Sequence, residues 1–385
     1  MRVLLAASGG AGHFGPLAPI IDALARRGAD QLIVVPPALA AYAEATGHPY
    51  RLCAEPPAEE RDAIWERLPL SDRHQAAILV NRHIFGRLNT AAMLPAVESA
   101  CREWRPDLVL HEVAEYASVI AAARNGIRHA QIAIGLAEVE RASLSIAAPE
   151  LEAYATGTVD RIRASPYITR LPDSVDPSPY PDTRRFREVA AGTHPPWLLP
   201  DWWEGSDAPL VYVSFGTVVG DLPIGPVAYR AAVEAVTELP VRALLSLGRT
   251  RDVSELGPLP GNVHVESWVP QAEVLRHAVA VVCHGGAGTT FGGLAVGAPL
   301  VIVPIMADQP ANARLVSTAG AGLVVEPVDG SVDAAVLRDA IAAVLADPSY
   351  RRAAVRIGTE MEAMPTVDEA LDSLPAHGRA IGDAR

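Results

Sequence analysis

Lysine is absent from this sequence, so all 32 basic residues among its 385 residues are arginine. Without lysine the chain cannot form the Schiff base of a pyridoxal enzyme, a nucleotide-binding P-loop or the active site of a protein kinase. Basic residues are also outnumbered, because 45 acidic residues leave a formal net charge of −13. Proteins that bind nucleic acid or anionic membranes favour the opposite sign. We therefore expect neither of these as a partner.

Cysteine is scarce and long hydrophobic runs are missing. Cys53, Cys101 and Cys283 lie far apart with no C-x-x-C spacing, which favours buried reduced thiols and no metal site. The longest apolar stretches, around Ala278–Cys283 and Gly297–Met306, are shorter than the ~18–20 residues that span a bilayer. The first residues also lack the pattern of an export signal. These absences predict a cytoplasmic protein without a membrane span.

Strand-like apolar runs alternate with amphipathic helix-length segments along the whole chain, which is typical of parallel βαβ units. The predicted fold class is α/β, with two doubly wound Rossmann-like domains, and a length of 385 residues suits two domains of ~100–200 residues each. A linker rich in proline and tryptophan near Pro195–Asp207 separates them. We expect domains at 1–200 and 201–365, and a C-terminal helix or tail at 366–385 that packs back on the first domain.

The apolar runs predict ten strands. These are Arg2–Ala7, Gln31–Val35, Leu108–His111 and His129–Ile134 in the first half, and Pro209–Ser214, Arg242–Leu247, Val263–Glu266, Val279–Cys283, Leu300–Pro304 and Gly322–Val325 in the second.

The first glycine-rich turn, Gly10–Gly15, matches the G-x-G-x-x-G pattern of dinucleotide sites. That fingerprint also needs an acid about 20 residues on, at the end of the second strand, where this chain has Val34–Pro37. A dinucleotide cofactor is therefore disfavoured. His13 precedes a helix expected from Pro16, and the helix dipole there disfavours the imidazolium, so a neutral ring could serve as a general base. Hydrogen bonding within the turn alone remains an equal alternative.

A second glycine-rich turn, His284–Thr290, follows a predicted strand and precedes a helix. Glycine allows a ligand to approach the backbone, and free N–H groups at Gly288, Thr289 and Thr290 suit a pyrophosphate. His284 could donate to a phosphate oxygen. A tight turn without a ligand would explain the glycines, but not a histidine and two hydroxyls at one turn.

Three further segments offer polar or aromatic groups to the same ligand. Their members are Ser214, Gly216 and Thr217; Trp268, Val269 and Gln271; and Asp308 with Gln309. The segment that begins at Ser214 lies at the carboxyl end of a predicted strand, where open α/β sheets bind ligands. Trp268 could stack on a nucleobase, and an acid beside an amide suits sugar hydroxyls. Taken singly, Trp268 could equally be core packing and Asp308–Gln309 a helix cap.

Together these motifs resemble the family 1 nucleotide-sugar glycosyltransferases of the GT-B fold. The residues that carry the resemblance are G-H-x-x-P at Gly12–Pro16, W-x-P-Q at Trp268–Gln271, H-G-G-A-G-T-T at His284–Thr290 and the pair Asp308–Gln309. The resemblance covers essentially the whole chain and is closest in style to actinobacterial enzymes that attach deoxysugars to antibiotics. It implies an acceptor-binding amino half and a donor-binding carboxyl half that face each other across a cleft, and no metal or other cofactor.

The resemblance also implies a role for each residue. His13 matches the general base, oriented by Glu112 where many relatives have Asp, with Glu115 as the reserve candidate. Nucleotide-sugar binding falls to Ser214, Gly216, Thr217, Trp268, Val269, Gln271, His284, Gly286, Gly288, Thr289, Asp308 and Gln309. The acceptor is expected at Phe14, Ile78 and His83, although the predicted helix Gln75–Trp104 could equally bury its apolar residues as core.

The donor is predicted to be a thymidine diphosphate (TDP) deoxysugar. Relatives that use UDP-sugars often carry a glutamate for the ribose diol eight residues after the motif histidine, where this chain has Gly292. We therefore predict an inverting transfer from a TDP-sugar to an apolar aglycone. Alternatives are a UDP-sugar donor, a nucleotide-sugar epimerase or hydrolase on the same fold, and a non-catalytic auxiliary partner of a glycosyltransferase; a homodimer is also possible.

Overall fold

The structure, a computed structural model, describes residues 1–188, 197–216, 224–248, 253–372 and 374. The chain divides into an N-terminal unit, made of Met1–Glu188 and Met364–Arg385, and a C-terminal unit, Val189–Ala363. The helix Val367–Asp372 therefore belongs to the N-terminal unit. There Arg26 forms an ion pair with Asp368.

The N-terminal unit is built on seven parallel strands in the order β3-β2-β1-β4-β5-β6-β7. The strands are β1 (Arg2–Ala6), β2 (Asp30–Val35), β3 (Tyr50–Leu52), β4 (Leu108–Glu112), β5 (Arg128–Ile132), β6 (Tyr167–Thr169) and β7 (Thr183–Arg185). Along β1, Val3 and Leu5 join one apolar cluster while Leu4 and Ala6 join another, because helices cover both faces of the sheet.

The C-terminal unit is built on six parallel strands in the order β10-β9-β8-β11-β12-β13. The strands are β8 (Leu210–Ser214), β9 (Arg242–Ser246), β10 (Val263–Glu266), β11 (Ala278–Cys283), β12 (Leu300–Ile302) and β13 (Gly322–Val324). In both units the order reverses beside the first strand, and ligands of such sheets bind at the carboxyl ends near that point. The two Rossmann-like sheets predicted from the sequence are confirmed.

Helices connect the strands in both units. In the N-terminal unit they are Ala11–Phe14, Gly15–Leu17, Ala18–Arg26, Pro37–Leu39, Ala40–Ala45, Ala58–Arg67, Leu68–Leu70, Arg73–Ala77, Ile78–Asn89, Thr90–Trp104, Ala117–Asn125, Ala137–Glu152, Thr158–Ala164 and Val367–Asp372. In the C-terminal unit they are Ile224–Thr237, Val253–Leu256, Gln271–Leu275, Ala287–Ala295, Gln309–Thr318, Ala334–Ala346 and Pro348–Glu362.

One long helical stretch departs from the geometry that periodicity predicts. The predicted helix Gln75–Trp104 is present, but twelve of its residues, Ile78–Asn89, are π-helical. A π-helix adds backbone between hydrogen-bonded residues, so its faces do not follow the 3.6-residue repeat on which the prediction rests.

Candidate functional sites in the two units

A histidine and a glutamate meet at the carboxyl ends of β1 and β4. Nδ1 of His13 lies 3.2 Å from Oε1 of Glu112, whose side chain is fully buried. Ser8 donates to the same Oε1 through its backbone N–H at 3.1 Å and its hydroxyl at 2.8 Å, and the Ala114 amide donates to Oε2 at 2.6 Å. Burial raises the pKa of Glu112, but the nearby His13 and these hydrogen bonds outweigh it and hold the pKa below its usual value. The carboxylate is therefore ionised near pH 7 and orients the imidazole.

The structure separates the two glutamates that the sequence left as candidate partners of His13. Glu112 is the last residue of β4, and Ala6 of β1 pairs with His111, so Glu112 ends beside the turn that begins at Ser8. Glu115 instead accepts hydrogen bonds from the Ser118 amide at 3.2 Å. Burial raises the pKa of Glu115 to about 7.

The imidazole of His13 is held from two further sides. The ring of Phe85 stacks on it with centroids 5.1 Å apart, and a Cβ added to Gly9 would lie 2.4 Å from the His13 ring. Asn89, on the same π-helical segment as Phe85, donates to the Ser8 carbonyl at 3.2 Å. Sequence reasoning did not connect Phe85 with His13, because no periodic pattern reveals where a π-helix turns a side chain.

The predicted acceptor residues have different surroundings. Phe14 is only 4% exposed and packs in the core of the N-terminal unit, so it has no surface to offer an acceptor. Ile78 and His83 are half-buried on the π-helical segment. Burial, with Arg82 and Arg87, lowers the pKa of His83. We keep Ile78 and His83 as proposed acceptor contacts and withdraw Phe14.

A buried carboxyl group organises the loop after β5, where the chain again leaves the carboxyl edge of the sheet. Glu140 accepts from the backbone N–H groups of Ile134 at 2.8 Å and Gly135 at 2.7 Å. The Tyr167 hydroxyl donates to its other oxygen. Burial raises the pKa of Glu140, and these hydrogen bonds lower it by less. The resulting pKa is about 7.

This raised pKa predicts a pH-dependent effect of Glu140→Gln on stability. A carboxyl whose pKa is raised by folding contributes to stability at low pH, and the contribution is lost as pH rises from about 4.5 through about 7. From pH 5 to pH 8, the free energy of unfolding of the variant, measured with urea, should therefore rise relative to that of the wild type by on the order of 1–3 kcal/mol. Glu138→Gln, at an exposed carboxylate on the same helix, is the control and should follow the wild type. Parallel pH profiles for wild type and Glu140→Gln would contradict the prediction.

In the C-terminal unit, a histidine lies against two glycines at the carboxyl ends of β8 and β11. A Cβ added to Gly286 would lie 2.4 Å from Nε2 of His284, and one added to Gly216 would lie 2.7 Å from Cε1. Gly216 also has a φ of 74°, which few other residues adopt. Both positions therefore need glycine for the ring to pack as it does.

Burial lowers the pKa of His284 to about 4, despite a hydrogen bond with the Ser214 backbone that opposes the shift. Nδ1 of the ring is buried without a hydrogen-bond partner among the residues that the structure describes. A proton on Nδ1 would be costly there, which favours a neutral ring with its proton on Nε2. Such a ring has a single N–H, at Nε2, which donates to the Ser214 backbone and which a phosphate oxygen would have to share.

The helix Ala287–Ala295 begins immediately after these glycines, with Gly286 as its N-cap. Because the Thr290 amide donates to the Gly286 carbonyl at 3.0 Å, it is not the free donor that the sequence predicted. The Thr289 hydroxyl donates to Oε1 of Gln271 at 3.1 Å, so its backbone N–H is the group left for a ligand. The amides of Gly288 and Thr289 remain in the first turn, where helices bind anions.

The other predicted donor contacts divide into exposed and buried groups. Trp268 is 53% exposed, so its ring has surface on which a base can stack, whereas Val269 is buried. Ser214 is buried and its hydroxyl accepts from the Gly216 amide at 3.4 Å. Thr217 lies outside the described residues.

The Asp308–Gln309 pair is tied into its own turn. Oε1 of Gln309 accepts from the amides of Ile305 and Met306, each at 2.8 Å, which is a structural use of the amide oxygen. Asp308 accepts from Asn312 at 2.8 Å, and Asn312 also donates to the Gly285 carbonyl at 2.8 Å. Sequence reasoning missed Asn312, although its place one helical turn after Asp308 was the signal that could have found it.

The described ranges hold neither a metal-binding cluster nor a membrane-spanning helix. Across residues 1–188, 197–216, 224–248, 253–372 and 374, His, Cys, Asp and Glu form no cluster that could hold a metal ion. Over these same ranges, every helix is too short or too polar to cross a bilayer.

Known proteins match the chain over nearly its full length. Residues 28–216 match the N-terminal domain, and residues 231–376 the C-terminal domain, of a family described as erythromycin biosynthesis protein CIII-like. The elloramycin glycosyltransferase of Streptomyces olivaceus is 30% identical over 95% of this chain and 94% of its own. The TDP-daunosamine transferase of Streptomyces peucetius is 26% identical over 99% of this chain and 98% of its own.

Solved structures show the same fold. A spinosyn rhamnosyltransferase solved with thymidine diphosphate superposes with a TM-score of 0.80 at 24% identity, over 97% of this chain and 100% of that one. The GT-B fold predicted from the motifs is thereby confirmed.

Proposed function

This chain belongs to the erythromycin biosynthesis protein CIII-like family and is a glycosyltransferase, and on that premise we propose that it transfers a deoxysugar from a TDP-sugar to an apolar natural-product aglycone with inversion. The observation that carries the mechanism is the pair of His13 and Glu112, with Nδ1 3.2 Å from a fully buried carboxylate. A carboxylate on one ring nitrogen fixes the tautomer that leaves the other, Nε2, unprotonated and basic.

His13 then removes the proton from the acceptor hydroxyl as its oxygen attacks the anomeric carbon. Glu112 stabilises the imidazolium that forms, because its own pKa is held low and it stays ionised. Displacement from the face opposite the leaving nucleotide converts an α-linked donor into a β-glycoside. Phe85 covers one face of the imidazole and so limits the directions from which an acceptor can reach it.

The leaving diphosphate is proposed to bind at the turn around His284. Its charge grows as the glycosidic bond breaks, and fixed donors aimed at developing charge stabilise it most. Nε2 of His284 and the first-turn amides of Gly288 and Thr289 supply such donors. These donors do not require a metal ion, so we propose metal-independent transfer.

The donor is proposed to be a TDP-sugar rather than a UDP-sugar, in line with the named donor of the Streptomyces peucetius relative. Gly292 lies on the helix Ala287–Ala295 and presents no side chain to a ribose diol. Thymidine lacks the 2′-hydroxyl, so it loses less from this absence than uridine does. Competition between TDP- and UDP-sugars should show preferential use of TDP; a preference above about tenfold for UDP, ~1.4 kcal/mol, would overturn the proposal.

A substitution at Gly292 tests the reason for that preference. Gly292→Glu supplies a carboxylate that can bind the ribose diol, so the preference for TDP-sugars over UDP-sugars should become smaller. Because an added Cβ lies 2.9 Å from Cδ1 of Leu275, the flexible end of that side chain must shift. Gly292→Met makes the same steric demand without a carboxylate and is the matched control. Equal donor ratios in both variants would show that packing, not the diol, sets the preference.

Transfer itself is tested by supplying a TDP-deoxysugar with a panel of aromatic and polyketide acceptors. Glycoside should form only when an acceptor is present. Donor consumption without an acceptor would point instead to a hydrolase or epimerase, and nucleotide binding without turnover to an auxiliary protein. A cytoplasmic location and a homodimer stay predictions.

A further inference from the structure

A network of buried and half-buried polar groups links the end of β8 with the starts of the helices Gln271–Leu275 and Ala287–Ala295. The Tyr212 hydroxyl lies 2.8 Å from Oγ of Ser246 and 3.5 Å from Oε1 of Gln271. Ser246 donates to Oγ of Ser214 at 3.1 Å. At the other end, the Thr289 hydroxyl donates to the same Oε1 of Gln271 at 3.1 Å.

Two members of this hydrogen-bond network belong to none of the motifs that the sequence revealed. Tyr212 is in the middle of β8 and only 1% exposed, and Ser246 is the buried last residue of β9. On β8 the flanking Val211 and Val213 face an apolar cluster, so strand alternation turns Tyr212 to the opposite face. Burying hydroxyls is costly unless each is hydrogen-bonded, and apolar side chains would fill the same space at lower cost. Packing alone therefore does not explain why hydroxyl groups occupy these positions.

We propose that Tyr212 and Ser246 are positioning residues for the donor site, an inference that rests on the proposed function. They join Ser214, Gln271 and Thr289, which come from one strand and two helices, into one hydrogen-bonded group. Hydrogen bonds in such chains reinforce one another and restrict the side chains to one arrangement. The donor site is thus ordered before the nucleotide arrives, which lowers the entropic cost of binding.

The same contacts determine which end of the Gln271 side-chain amide is available to a ligand. Its amide oxygen accepts from the Thr289 hydroxyl at 3.1 Å and lies 3.5 Å from the Tyr212 hydroxyl. The NH₂ group is then the end left to donate to a ligand, because each amide has one acceptor oxygen and one donor nitrogen. The structure thus assigns to Gln271 the role of donating this hydrogen bond to the ligand. The accepting atom is an oxygen of a nucleoside diphosphate.

Tyr212→Phe tests the inference, because it removes one hydroxyl and keeps the ring. Isothermal titration with TDP and with UDP should show the dissociation constant of the bound nucleotide rising by about three- to tenfold, the effect of losing one or two hydrogen bonds. The KM for the donor should rise by the same factor, while kcat and the KM for the acceptor stay within about twofold. Tyr167→Phe, at a buried strand tyrosine of the other unit, is the control and should leave nucleotide affinity unchanged.

Ser246→Ala interrupts the chain at its next link and is the second variant, should Tyr212→Phe fail to fold. It should weaken nucleotide binding in the same range, and the double variant should lose less than the product of the two single effects, because both break one connected group. A lower thermal midpoint with wild-type nucleotide affinity would show a purely structural role and overturn the inference alone. If the wild type binds neither nucleotide, the proposed donor site fails and the inference fails with it.

Discussion

Replacing His13 with alanine is expected to slow sugar transfer by ~10²–10⁴-fold while the dissociation constant for the nucleotide stays within about twofold. The imidazole is the group that we propose takes the proton from the acceptor hydroxyl, and its Nδ1 lies 3.2 Å from Glu112. The donor contacts proposed here lie in the C-terminal unit, so losing the ring should leave them intact. Single-turnover kinetics and titration with TDP measure the two quantities separately. Full activity in His13→Ala would rule out base catalysis by this residue.

A glycine pair tests whether the position of the ring, and not only its presence, matters. Gly9→Ala places a methyl group 2.4 Å from the His13 ring, so the ring must move away from Glu112 or Phe85. Transfer should fall well below wild type with donor affinity unchanged. Gly12→Ala is the matched control, because a Cβ there meets no atom within 4 Å. Equal activity in both variants would show that the ring need not be held in this place.

Gly286→Ala is expected to weaken nucleotide binding by about tenfold or more, because one well-placed hydrogen bond to a charged group is worth about 1.5–3 kcal/mol. The added Cβ would lie 2.4 Å from Nε2 of His284, and Gly216 already packs against the same ring. The ring must therefore turn, and its Nε2 hydrogen moves away from the proposed phosphate position.

Gly261→Ala provides the control for this experiment. It makes the same change in the same unit, where a Cβ meets no atom within 4 Å. Titration of both variants with TDP and UDP, together with thermal unfolding, separates affinity from stability. Wild-type affinity in Gly286→Ala would remove His284 from the proposed phosphate site.

The fold was readable from sequence where strands are buried on both faces. Such strands appear as uninterrupted apolar runs, as in Leu210–Ser214 or Ala278–Cys283, and all ten predicted strands are present with ends displaced by two residues at most. The three missed strands, Tyr50–Leu52, Tyr167–Thr169 and Thr183–Arg185, have three residues each. They carry polar side chains and lie toward the ends of the sheet, where no long apolar pattern forms.

The site residues were less readable, because a side chain's partner depends on elements distant in sequence. The sequence named both Glu112 and Glu115 beside His13, and only the pairing of β1 with β4 brings Glu112 to Ser8. It offered Thr289 as a ligand contact without showing that its hydroxyl turns to Gln271.

The sequence by itself determined the alternation of strands and helices, the two glycine-rich turns and the family, because these depend on residues close together in the chain. Apolar runs, helix starts and left-handed glycine conformations are local properties of the backbone. The tertiary structure alone decided which nitrogen of His284 is buried, which glutamate faces His13 and that Tyr212 reaches Gln271. Those contacts join residues 59 to about 100 positions apart, so they exist only once strands have paired and helices have packed.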